Sequence, residues 1–139
     1  GFCSLQQFET LYWPTLRRLV VELIDRGFTP LVMTEGDYTS RLEYLLEIPR
    51  GKAFVHFDTT DMFKAKDVLK GHLCISGNMP VSLLAVGSPD EVRQVAKRLI
   101  DYCGRDGGFV MSSRTPVDDA RPENLKALID FTVEYGVYA

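Results

Sequence analysis

The residues best suited to carry out chemistry in this sequence follow short apolar runs. Glu35 and Asp37 come after one such run, and His56 and Asp58 lie at the end of the next. Carboxylates and imidazoles held near a substrate can give or take a proton during a reaction. We predict Glu35, His56 and Asp58 as catalytic residues, with proton transfer by Glu35 or Asp58. We predict Asp37 as a substrate-binding residue.

A second group of polar residues follows the later apolar runs. Asn78 comes after the run 72–76, and Ser112 and Arg114 lie at and just beyond the end of the run 109–112. Arginine presents a planar fork of donors that matches a carboxylate or a phosphate. We predict all three as substrate-binding residues, with Arg114 holding a substrate carboxylate.

Each of these predictions has a structural alternative. His56 also suits a hydrogen-bonded place in the core, because buried polar groups need partners. Asp58 suits the N-terminus of the helix that follows, and Arg114 suits an exposed surface. Glu35, His56 and Asp58 together offer ligands for a divalent ion, although nothing in the sequence sets their spacing to that of a metal site.

The elements that must position these residues alternate between strand and helix. Apolar runs predict four strands, at 31–34, 53–58, 72–76 and 109–112. Periodicity and capping residues predict helices after Ser4, at 38–48 and 61–70, and from Ser88 and Pro122. Four such units predict an α/β fold with a parallel sheet, because each parallel pair needs a crossover helix. Periodicity alone leaves open whether the sheet is a small open one or half of a barrel.

The parallel sheet explains why the polar residues belong together. Ligands of parallel sheets lie beyond the carboxyl ends of the strands, where all of these residues fall. Side chains alternate between the two faces of a strand, so His56 and Asp58 share the inward face. Ser76 and Asn78 share that face on the next strand, whereas Val55 suits packing against helices.

The composition excludes several classes of function. The 139 residues include 16 Lys and Arg against 19 Asp and Glu, a formal net charge of −3. This balance argues against a protein that grips nucleic acid phosphates over a broad face. No run approaches the ~20 apolar residues that a membrane-spanning helix needs. The 3 cysteines form no CxxC pair and indicate reduced thiols. We predict one cytoplasmic domain, 1–139, with neither a nucleic acid nor a membrane as partner.

Several motifs carry a resemblance to a known family. The sequence GNMPVSLL at 77–84, followed by GSPDEV at 87–92, resembles the uroporphyrinogen decarboxylase superfamily. The segments GGFVMSS at 107–113 and RPENL at 121–125 resemble it as well. The resemblance implies four parallel β-α units that form the C-terminal half of a (β/α)8 TIM barrel. It also implies that the half barrel is part of a longer chain or is completed by a partner, such as a second copy in a homodimer.

The superfamily includes decarboxylases of tetrapyrrole precursors of heme and zinc-dependent methyltransferases that work with corrinoid proteins. The segment 107–113 is more similar to the methyltransferase branch. The resemblance therefore implies methyl transfer linked to a corrinoid that a partner protein carries, with no cofactor assigned to this chain. Two alternatives stay open: decarboxylation of a tetrapyrrole or another carboxylate substrate, and a binding module of the same fold without catalysis.

The chain departs from both branches at the positions that carry their chemistry. Where the methyltransferases have their zinc ligands, this sequence has Met33, Glu35 and Thr115. Where the decarboxylases have a histidine after the last strand, it has Ser113 and Arg114. Zinc activation of a thiol needs thiolate or imidazole ligands. We therefore predict no metal site.

Overall fold

The apolar runs form a parallel sheet of four strands. The computed structural model describes residues 3–114 and 117–137. Its strands are β1 Leu31–Thr34, β2 Phe54–Phe57, β3 Cys74–Met79 and β4 Phe109–Ser113. They lie in the order β1-β2-β3-β4, and every neighbouring pair is parallel. This confirms the predicted α/β fold and matches half of a TIM barrel, with β1 and β4 at the two edges.

Side-chain caps mark the starts of several helices. They are α1 Leu5–Gln7, α2 Trp13–Asp25, α3 Met62–Leu69, α4 Val81–Val86, α5 Pro89–Leu99 and α6 Pro122–Tyr135. Ser4 and Ser88 each form a capping box, and the Asp61 carboxylate accepts two backbone N–H bonds at the start of α3. The predicted starts at Ser4, Ser88 and Pro122 are confirmed. Within the described ranges, every helix is too short or too polar to cross a membrane.

Two stretches depart from regular α-helix in a way that shapes the site. A π-helical turn, Phe8–Tyr12, joins α1 to α2. The segment predicted as a helix at 38–48 is a 3₁₀ helix, Thr39–Glu47. Its buried side chains Leu42 and Leu45, and the buried Ile48 just after its end, are spaced three residues apart, which is the period of a 3₁₀ helix and not of an α-helix.

The third strand is longer than predicted. The sequence after Ser76 has the residue types of a turn, yet β3 continues through Gly77 and Asn78 to Met79 and pairs with β4 up to Ser113. Gly77 makes this possible because it lets β3 approach β2 closely: a Cβ at this position would lie 2.5 Å from the Phe57 carbonyl oxygen. The short helix α4 after Pro80 was not predicted.

The sheet has one covered face and one open face. Val55, Phe57 and Ile75 are buried in the main apolar core, together with side chains of α3 such as Leu69. The opposite face includes the row Met33, His56, Ser76 and Val110, whose members are paired across all four strands. Its edge-strand members are exposed, with Met33 at 60% and Val110 at 47%. The open face is the one that a closed barrel would enclose.

Candidate functional site

A cavity of about 930 Å³ lies at the carboxyl ends of β1 and β2. Four residues predicted from their position after these strands line it: Glu35, Asp37, His56 and Asp58. The rule that ligands lie beyond the carboxyl ends of parallel strands thus identified this wall of the cavity. The parallel pairing of β1 with β2 brings the two predicted pairs together.

His56 is the most enclosed of these four side chains. It is 7% exposed, and its Nδ1 lies 3.4 Å from the Oγ of Ser76, its partner in the strand register. Its Nε2 is buried and has no hydrogen-bond partner among the described residues. A buried polar atom without a partner costs ~1–3 kcal/mol. A ligand that meets this nitrogen would remove that cost.

Hydrogen bonds to Asp58 connect the ends of three strands. Its carboxylate accepts a hydrogen bond from the Gly36 N–H at 3.3 Å, just after β1. The Asn78 side-chain amide on β3 donates to the backbone carbonyl oxygens of Asp58 at 3.0 Å and of Thr60 at 2.8 Å. Asn78 therefore uses its amide donors to hold the loop after β2. Asn78 itself does not line the cavity.

The two other acidic groups face solvent. Asp37 is exposed, and its carboxylate accepts a hydrogen bond from the Thr39 N–H at 2.8 Å. Hydrogen bonds from the side chain and backbone of Thr39 hold the pKa of Asp37 below its usual range. The Glu35 side chain is exposed as well and makes no ion pair or hydrogen bond with the residues that the structure describes. Both carboxylates can therefore reach a ligand in the cavity.

The remaining predicted residues lie elsewhere along the sheet edge. Ser112 pairs with Asn78 in the register of β3 and β4, and its hydroxyl donates to the Ser113 carbonyl oxygen at 3.3 Å. The Arg114 backbone N–H donates to Met79, and its side-chain Nε is buried without a partner among the described residues. None of these residues lines the cavity at His56. Thr115 lies outside the described residues.

The far wall of the cavity was not predicted as part of a site. It includes Phe8 and Tyr12 from the π-helical turn, together with Tyr38 and Arg41. The Phe8 ring lies 5.5 Å from Tyr12 and 5.7 Å from Tyr38, centroid to centroid. Burial, followed by the neighbouring Tyr12 phenol, raises the pKa of Tyr38 to about 12. The aromatic spacing at positions 8 and 12 is visible in the sequence, but it predicts only a buried helix face.

No metal centre is formed by the described part of the chain. Within 3–114 and 117–137, no three His, Cys, Asp or Glu side chains come together as ligands for an ion. Glu35, His56 and Asp58 share a cavity but do not form such a group. They line this cavity together with the aromatic side chains of Phe8, Tyr12 and Tyr38.

Comparison with known proteins identifies the family. The family model described as uroporphyrinogen decarboxylase (URO-D) matches residues 1–135. The chain belongs to the uroporphyrinogen decarboxylase family. A uroporphyrinogen decarboxylase of Chlorobium phaeobacteroides is 33% identical over an alignment 81 residues long, which covers 55% of this chain and 23% of that protein. The match thus spans about a quarter of the length of that curated relative.

The structure shows what the RPENL motif does at the start of α6. Asn124 of the RPENL segment is completely buried, and its amide donates at 2.9 Å to the carbonyl oxygens of both Leu84 and Gly87 at the end of α4. This motif therefore joins the last helix to the GNMPVSLL segment. Its role in the described residues is to hold the fold together.

Proposed function

We propose that this chain supplies the C-terminal half of a barrel active site that decarboxylates a carboxylate-bearing tetrapyrrole. The observation that carries the proposal is the His56 imidazole in the wall of the strand-end cavity, with a buried Nε2 that lacks a partner among the described residues. The similarity to a uroporphyrinogen decarboxylase supports the substrate class. Barrel enzymes hold their substrates at this end of the strands.

His56 is the proton donor in this proposal. Decarboxylation breaks the bond between the substrate carbon and its carboxylate, and the electron pair of that bond stays on the carbon as CO₂ leaves. That carbon then takes a proton from Nε2 of the His56 imidazolium, and solvent protonates the imidazole again. Ser76, at 3.4 Å from Nδ1, orients the ring. Glu35 and Asp58 are alternative proton-transfer groups in the same cavity, and Asn78, Ser112, Arg114 and Asp37 are substrate contacts.

The test is turnover of uroporphyrinogen by the protein that carries this chain at its natural length. We expect His56→Gln to lower kcat by about 10²- to 10⁴-fold, the usual contribution of a positioned acid or base. His72 provides the matched control, since its Nε2 lies 2.8 Å from the Ile48 carbonyl oxygen and it does not line the cavity. His72→Gln should retain the wild-type rate. Unchanged turnover in His56→Gln would remove His56 from the mechanism, and Glu35→Gln and Asp58→Asn would then identify the donor.

Corrinoid-linked methyl transfer is the second candidate. The resemblance of the segment 107–113 to the methyltransferase branch supports it. In this case a partner protein carries the corrinoid and the chain supplies the acceptor half of the site. Incubation with methylcobalamin and an added thiol, whose sulfur takes the methyl group as the bond from cobalt to carbon breaks, separates the candidates when the cobalamin absorption spectrum is followed. Loss of the methyl group without CO₂ release from uroporphyrinogen would replace the first proposal, and tetrapyrrole binding without either reaction would make the chain a binding module.

We further propose that a second half barrel covers the open face of the sheet. Leu31 on β1 and Val110 on β4 are each 47% exposed on this face, and two strand edges are unpaired among the described residues. Unpaired edges and exposed apolar faces are association sites. The covering half comes from the same polypeptide or from a second copy. Light scattering on the natural protein distinguishes a monomer with both halves from a dimer.

A further inference from the structure

Arg41 is held rigidly at the aromatic wall of the cavity. Its Nη2 donates to the Cys3 carbonyl oxygen at 2.9 Å, and its Nη1 donates to the Asp37 carbonyl oxygen at 3.2 Å. Its guanidinium carbon lies 5.1 Å from the Phe8 ring centroid and 5.8 Å from that of Tyr38. A side chain fixed by two carbonyl oxygens and two rings loses little further freedom when a ligand binds.

The positive charge of Arg41 is not neutralised by direct contact. It forms no ion pair with the described residues, and its two hydrogen bonds go to backbone carbonyl oxygens, which leaves its other N–H groups available. The Asp37 and Asp58 carboxylates on the same cavity accept backbone N–H bonds instead. Arg17 shows the ordinary alternative, since it is exposed and pairs with Glu47 at 2.8 Å.

The surroundings of Arg41 suit a ligand with an apolar body and an anionic arm. Met33 and Tyr12, which line the same cavity, are 60% and 50% exposed and offer an uncovered apolar surface. A partly buried guanidinium with free, coplanar N–H groups suits a carboxylate, which it can bind through two parallel hydrogen bonds.

We propose that Arg41 is a specificity-determining residue that binds one carboxylate of the substrate while the substrate ring lies against Met33 and Tyr12. This inference rests on the proposed function for the class of substrate. Arg41 does not follow directly after a strand, so the rule that ligands lie beyond strand ends did not identify it as a contact for the substrate carboxylate. It is distinct from the contact proposed for Arg114, which does not line the cavity.

The test compares the binding of uroporphyrin with that of its fully esterified methyl ester, both measured by porphyrin fluorescence. The ester keeps the ring but lacks the carboxylates. We expect the wild-type protein to bind the acid more tightly than the ester. Arg41→Met should weaken binding of the acid at least about tenfold, because hydrogen bonds to a charged group are lost, and should leave binding of the ester unchanged. Arg17→Met is the matched control and should bind both porphyrins as the wild type does.

The outcomes separate this inference from the proposed function. If the wild type binds neither porphyrin, the proposed substrate class is wrong, and this assignment of Arg41 is wrong with it. If the wild type prefers the acid and Arg41→Met keeps that preference, Arg41 alone is wrongly assigned. Equal losses for acid and ester would show that Arg41 acts only on the fold. Should Arg41→Met fail to fold, Arg41→Lys decides, because it keeps the charge but not the fork and should weaken only the acid.

Discussion

Replacing Asn124 with alanine should lower the free energy of unfolding by about 3 kcal/mol. Asn124 is 0% exposed at the start of α6. Its amide donates to the carbonyl oxygens of Leu84 and Gly87, each at 2.9 Å, and of Leu83 at 3.5 Å. Alanine would leave the Gly87 carbonyl oxygen without this donor, whereas the Leu84 and Leu83 carbonyl oxygens keep the backbone N–H groups of Arg121 and Gly87.

The magnitude follows from the two short bonds. Each contributes roughly 1 kcal/mol net, and a buried carbonyl left without a donor costs ~1–3 kcal/mol. The Asn124 carbonyl oxygen already lacks a partner among the described residues, and its removal returns part of that cost. The sum is about 2–4 kcal/mol, which for a domain of this size lowers the Tm by roughly 10 °C.

Urea unfolding followed by circular dichroism measures this change. Asn124→Asp is the matched variant, since it keeps the side-chain volume but replaces the amide donor with an acceptor, and it should cost at least as much as alanine. Lys126→Ala, whose exposed partner Asp130 lies 2.7 Å away, should change stability by less than ~0.5 kcal/mol. An Asn124→Ala variant within ~1 kcal/mol of the wild type would refute the reasoning, because it would show that water satisfies these carbonyl groups.

Three further predictions concern other parts of the fold. Gly77→Ala should destabilise the protein by at least ~2 kcal/mol in urea unfolding, because the new Cβ would lie 2.5 Å from the Phe57 carbonyl oxygen. An unchanged free energy of unfolding would mean that β2 and β3 can move apart to make room for the methyl group. Burial raises the pKa of the Cys103 thiol to about 11, so iodoacetamide at about pH 8 should label Cys103 only after the protein unfolds. Labelling is detected by mass spectrometry, and rapid labelling of Cys103 in the native protein would contradict its burial. Hydrogen bonds from the backbone and side chain of Ser88 hold the pKa of Glu91 below its usual value in the folded protein. The ionised Glu91 carboxylate therefore stabilises the fold fully at any pH above the pKa that Glu91 has in the unfolded chain. This contribution is lost as the pH falls through the lower pKa that Glu91 has in the folded protein. Glu91→Ala should therefore be less stable than the wild type at neutral pH, and urea titrations should show the gap closing towards about pH 3; a gap independent of pH would exclude the charge as its cause.

One wall of the candidate site was predictable from the sequence. His56 and Asp58 were identified because two simple regularities act together: side chains alternate along a strand, and ligands lie at the carboxyl ends of parallel strands. Arg41 and Tyr38 escaped the same reasoning because they lie in a segment whose 3₁₀ geometry moves side chains away from their α-helical positions. A period of three in its buried residues was the available signal.

The sequence by itself determined the four strands, their alternation with helices and the caps at Ser4 and Ser88. These follow from interactions between residues close together in the chain, where capping and periodicity act. The parallel pairing was predictable because a helix connects one strand to the next. Only the tertiary structure decided which polar groups meet. The Arg41 guanidinium contacts the Cys3 carbonyl oxygen, and the Asn124 amide contacts Leu84, across 38 and 40 residues of chain. Such contacts depend on how the crossovers pack against the sheet, and no local pattern encodes that packing.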